Sequence, residues 1–115
     1  MNLTSRVRRA FLLLSLVLVV SFPACSAKRN LVGQWNKVNG ASCDAAYPSK
    51  VEFFDNGTYV GGLLHWNGGK YELVDSNRIK LDTRFGPGVY EFEVTNEVLT
   101  FRNDENCEFR YRRAK

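Results

Sequence analysis

GVYEFEVTNEVLTFR, residues 88–102, decides the fold. Tyr90, Phe92 and Val94 alternate with Glu91, Glu93 and Thr95, and after Asn96-Glu97 the chain resumes with Leu99 and Phe101 against Thr100 and Arg102. A spacing of two puts successive side chains on opposite faces of a strand, so each run has one apolar and one wet face. The Thr95-Asn96-Glu97 turn between them makes the pair an antiparallel hairpin.

Outward from this hairpin the same period recurs. Cys107, Phe109 and Tyr111 alternate with Glu108, Arg110 and Arg112, and Ile79 and Leu81 with Arg78, Lys80 and Asp82. Turn residues punctuate the runs: Asp55-Asn56-Gly57, Asn67-Gly68-Gly69, Asp75-Ser76-Asn77 and Asn103-Asp104-Glu105-Asn106. Strands are expected at about 31–38, 50–55, 58–66, 69–75, 78–83, 88–95, 98–103 and 106–112. Short sequential strands with one apolar face remove their exposed edges by closing on themselves. The expected fold is therefore all-β, a small antiparallel up-and-down barrel or bent meander. Phe53, Tyr59, Tyr71, Tyr90, Phe92, Phe101, Phe109 and Tyr111 should fill its interior. The one long connection, Asn39 to Ser49, has room for a short turn of helix within Ala41 to Ala46.

Upstream, the chain reads as an export signal. Arg6, Arg8 and Arg9 form a positive n-region, and the eleven residues from Ala10 to Val20 carry no charge. That run suits a signal h-region and is shorter than the roughly 20 residues of a spanning helix. An uncleaved membrane anchor is the alternative. The expected organisation is a signal helix over 1–25, a linker over 26–30 and the barrel over 31–115. The 16 basic and 12 acidic residues give a net charge of +4, but three of the arginines belong to the n-region. The remainder is close to neutral and lacks the clustered basic face that nucleic-acid binding requires, so a nucleic-acid partner is not expected.

Three cysteines in an exported chain leave one unpaired. Phe22-Pro23-Ala24-Cys25-Ser26 resembles the lipobox of bacterial lipoproteins, in which the cysteine thiol accepts diacylglycerol and cleavage falls just before it. Ala24 fits that pattern; Phe22 and Pro23 depart from it. The resemblance implies lipidation at Cys25 and a membrane partner through the N-terminal anchor. Cleavage after Ala27, with Cys25-Ser26-Ala27 as the small-x-small site, would instead give a secreted or periplasmic chain. In an oxidising compartment Cys43 and Cys107 are then expected to pair. Their bond would close a long loop, worth ~4 kcal/mol in the chain-entropy model, and pin the Asn39–Ser49 connection over one barrel end.

Gly33-Gln34-Trp35 resembles the G-x-W of the first strand in the lipocalin family. The order of EFFDNGTY, GGKYEL, NRIKL and YEFEV…LTF is similar to that of small bacterial lipocalin-like domains, many of them exported lipoproteins. The resemblance implies that Gly33 and Trp35 close the barrel under an arginine of the chain's end: Arg110 and Arg112 lie on the expected last strand, Arg113 follows them, and any of the three could stack there. Ligand-carrying lipocalins are nearly twice as long. Strands of about six residues span only ~20 Å here, so a ligand-filled calyx is not carried over.

Chemistry-bearing clusters are few. His65 is the single histidine and there is no C-x-x-C, so neither a metal nor another cofactor is implied. No G-x-S-x-G elbow is present, and Glu91 and Glu93 read as solvated residues of an outer strand face rather than a catalytic carboxylate pair. No catalytic residue is assigned. The expected function is that of a non-enzymatic binding or accessory module of the bacterial envelope, with Tyr47, Pro48, His65, Trp66 and Phe85 as its binding surface. Its partner would be a protein or a small ligand. An inhibitor that inserts the Cys43 loop into an enzyme cleft, and a small-ligand carrier, are the other classes.

Overall fold

The computed structural model describes residues 23–38, 42–62 and 65–115. Most of the expected signal helix, Phe22 of the lipobox-like string, and Leu63 and Leu64 of the expected third strand lie outside the described residues. The elements are α1 (Pro23–Leu31), β1 (Gly33–Lys37), a single 3-10 turn (Ser42–Asp44), β2 (Lys50–Phe53), β3 (Thr58–Val60), β4 (Gly69–Asp75), β5 (Arg78–Thr83), β6 (Gly86–Thr95), β7 (Val98–Arg102) and β8 (Glu108–Arg113). The eight strands form a closed barrel in sequence order, each antiparallel to its neighbours, with β8 returning to β1.

The β6–β7 hairpin behaves as the alternation requires. Phe92 lies opposite Phe101 and Val94 opposite Leu99 across β6 and β7, while Glu91 faces outward beside Arg102. Every aromatic expected inside is buried, from Phe101 and Tyr111 at 0 % exposure to Tyr90 at 7 %. Burying several rings of this size supplies the main driving force for folding, roughly 1.5–3 kcal/mol for each fully buried large apolar side chain.

Before Gly69 the chain departs from the expected boundaries in two places. Residues 26–30, read as a linker, are helical, and Leu31, read as the start of a strand, ends α1 and is wholly buried. Pro23 opens that helix, where its missing N–H costs nothing. The third strand stops at Val60 because Gly61 turns the chain inward: a Cβ there would lie 1.9 Å from the Trp66 carbonyl oxygen, a space open only to glycine. Gly62 N–H then donates to that carbonyl at 2.8 Å and closes the turn.

The barrel has two ends. The turns at 54–57, 75–78 and 95–98, together with α1, form the lower one. The 42–49 connection, the 61–68 loop and the turns at 84–85 and 103–107 form the upper one, called the rim below. Period two also decides among the three candidate arginines, against Arg110 and Arg112. Phe109, Tyr111 and Arg113 share one face of β8, whereas Arg110 and Arg112 point out and are exposed. Arg113 is registered directly opposite Trp35, and its guanidinium lies 4.3 Å from the centroid of that ring. It donates to the carbonyls of Val32 at 3.0 Å and Asn30 at 2.5 Å and pairs with Glu97 at 2.8 Å. Trp35 Nε1 donates to Leu31 O at 2.8 Å. Gly33 sits beneath this stack: with φ at 135°, a Cβ would come within 2.8 Å of Arg113 Nη1.

Candidate interaction surface

The expected disulfide joins Cys43, in the 3-10 turn, to Cys107 at the foot of the β7–β8 turn, with Cα atoms 6.0 Å apart. This is an ordinary span for such a bond. Asn103 Oδ1 accepts the N–H groups of Glu105 and Cys107, both at 2.9 Å, so the acidic residues of that turn belong to a braced hairpin. Lys37 Nζ donates to the carbonyls of Asp44 at 3.0 Å and Tyr47 at 2.9 Å, and Tyr111 donates its hydroxyl to Pro48 O at 2.8 Å. The connection is held by the disulfide, by the Lys37–Asp44 ion pair at 3.9 Å and by hydrogen bonds to β1 and β8.

All five residues proposed for binding gather at this rim, but three of them face inward. Tyr47, at 4 % exposure, lies parallel to Phe109 at 4.0 Å, and Pro48 is buried behind it. Trp66 is wholly buried and serves as the plug of the barrel. Its ring meets Tyr90 at 5.2 Å, Phe101 at 4.7 Å and Phe109 at 5.5 Å edge-on, and is parallel to Tyr111 at 6.3 Å. Expected exposed at the end of a strand over 58–66, Trp66 lies instead in the loop beyond β3, turned inward. The apolar environment it enters decides otherwise.

What remains on the surface is smaller. Phe85 is 73 % exposed at the tip of the Thr83–Gly86 turn, and half-buried His65 lies behind it with ring centroids 5.5 Å apart. Thr83 Oγ1 donates to Gly86 O and accepts from Phe85 N–H at 3.2 Å, so the turn is fixed from inside. His65 in turn touches Tyr47 at 5.3 Å, which makes Phe85, His65, Tyr47 and Trp66 one continuous stack from solvent to core. His65 Nδ1 and Trp66 Nε1 are buried without a hydrogen-bond partner among the described residues.

Titration at the rim follows burial. Desolvation pushes Tyr59 and Tyr90 up to about 12. Burial also raises Tyr111, with the Asp44 charge adding to the effect. These hydroxyls stay protonated and bond as neutral groups, so none is poised as an acid or base near neutrality.

Across β6, β7 and β8 several charges pair off. Glu91 meets Arg102 at 3.6 Å, Arg102 meets Glu108 at 3.1 Å and Arg110 meets Glu108 at 2.7 Å, all on the outer face. Glu93 accepts from the Thr95 hydroxyl at 3.1 Å. Among the described residues no group of three or more His, Cys, Asp or Glu side chains is placed to hold a metal ion. No protein family, curated protein or solved structure matches this chain.

Proposed function

We propose that this chain is an exported, lipid-tethered, lipocalin-like barrel of the bacterial envelope that binds a protein partner through its disulfide-braced rim and does no chemistry itself. The observation that carries the reading is Phe85: nearly every other aromatic ring at the rim is turned inward, while this one is held outward on a braced turn. A preordered aromatic side chain on a rigid scaffold binds at low entropic cost. A carrier function is less well supported, because aromatic rings, with Trp66 at their centre, occupy the space a ligand would need. The G-x-W start with its stacked arginine supports the lipocalin-like lineage.

Two features support the tether. The Cys43–Cys107 bond suits an oxidising compartment and leaves Cys25 as the unpaired cysteine. Ala27 packs against the barrel core within α1. Cleavage before Cys25 keeps that contact, whereas cleavage after Ala27 removes it.

The test is native mass spectrometry of the detergent-extracted chain, with and without Phe85→Ser. The partner mass should vanish in the variant while its melting temperature is unchanged. A complex that survives the substitution would move the binding surface elsewhere. Dependence of the complex on Ala45 or Ser49 instead would favour the inhibitor reading, in which the Cys43 loop makes the contact.

A further inference from the structure

Resting on the lipid-anchored reading, we propose that the lower end of the barrel lies against the lipid surface and the rim points away from it, so that the tether also orients the molecule. No spacer separates Cys25 from the folded chain. The backbone of Cys25 already belongs to α1, which begins at Pro23. That helix is not a free arm. Leu31 is wholly buried, Ala27 packs on the core, Trp35 donates to Leu31 O and Arg113 donates to Asn30 O.

From Cys25 to Leu31 the helix rises only about 9 Å. An acyl group on Cys25 must enter the hydrocarbon, so the barrel floor is kept near the head groups. A flexible linker of the same length would let the barrel tumble; a docked helix does not.

Charge at this end agrees with a lipid surface. Asp75 is paired with Arg78 at 2.6 Å and Glu97 with Arg113 at 2.8 Å. Lys28 and Arg29, in the last turn of α1, make no ion pair with the described residues. Asp55 is the remaining acidic side chain of the lower turns, and Glu93 lines the recess beside α1 with Ser26, Ala27 and Asn30. The two cations of α1 are free to meet anionic head groups. The opposite end, roughly 20 Å away along strands of six residues, carries Phe85 and the disulfide.

The experiment uses the chain expressed from its full sequence, processed by the host and reconstituted into anionic vesicles whose head groups carry a short-range quencher. A fluorophore is introduced by a non-natural amino acid at Ser76, an exposed residue of a lower turn, or at Asp104, an exposed residue of the rim. The Ser76 label should lose most of its emission and the Asp104 label should keep it. Equal loss at both sites, or greater loss at Asp104, overturns the orientation. The N-terminal peptide of the same preparation is weighed. With an acyl group present, equal quenching defeats the orientation alone; without one, the tether reading fails and the orientation fails with it.

Discussion

The two ends of this barrel are sealed by different means. At the lower end a helix, a tryptophan and an arginine meet in one stack: α1 supplies the floor, Trp35 the ring and Arg113 the charge, every contact made from or beside regular secondary structure. At the rim the seal is made of irregular chain. Trp66 enters from a glycine-flanked loop, Tyr47 lies over Phe109, and the 42–49 connection is fastened by a covalent bond. Strand pairing brings the lower contacts together as the sheet closes. The rim needs its own fasteners, because loops pay the full conformational cost of being ordered. An end fixed with such devices, and bearing the most exposed aromatic ring among the described residues, is the end we propose for a partner.

The largest effect should come from removing the plug. Trp66→Ala takes the central ring from the upper core and should cost roughly 3–5 kcal/mol, the range for large aromatic truncations. Chemical denaturation measures it, and hydrogen exchange should show the loss concentrated in the upper halves of β6, β7 and β8. An equal loss of protection around Trp35 would mean that the two ends form one cooperative seal.

Replacing Cys43 and Cys107 together by serine comes next, with an expected loss of about 2–5 kcal/mol. The 42–49 connection should become protease-sensitive while α1 stays protected. Cleavage of both at similar rates would erase the distinction between the ends.

Alkaline titration tests the rim by another route. Tyr59 and Tyr90 ionise near 12 in the folded chain against 10.0 for the free side chain. Because the folded value is the higher one, the stability linked to these groups is full below pH 10 and is lost as pH rises through about 12. With Trp35→Phe leaving Trp66 as the single indole, its fluorescence should shift to the red in that window. A shift already complete below pH 10 would contradict the burial of these hydroxyls.

Smaller still is the contrast between neighbouring arginines. Arg113→Ala should cost about 0.5–2 kcal/mol from the lost ring contact, with further loss from the carbonyls of Asn30 and Val32. Arg112→Ala, on the outer face, should stay within about 0.5 kcal/mol. Thermal melts of the two variants decide the case, and equal costs would break the assignment of Arg113 to the stack.

The same contrast explains what could be read without coordinates. Strand periodicity carries information wherever the chain is regular, so Tyr90 to Arg102 declared their faces directly, and the turn chemistry marked the hairpins. The disulfide followed from cysteine number and compartment. Tyr47 and Pro48 were legible as residues of importance but not as buried ones, since an irregular segment has no period from which to read a face, and Trp66, expected at the end of a strand over 58–66, lies instead in the loop beyond β3. α1 was missed because a helix of nine residues, docked by Leu31 and Ala27, has too few turns for an amphipathic pattern to stand out. Arg113 was within reach: carrying the alternation of Phe109 and Tyr111 two residues further selects it over Arg110 and Arg112.

The claim on which the account turns is that the lower end is the anchored one. Intact-mass and tandem mass spectrometry of the mature N-terminal peptide test it most directly. The account predicts a chain beginning at Cys25 with diacylglycerol on its thiol. A chain beginning at an unmodified Ser26 or at Lys28 would contradict it.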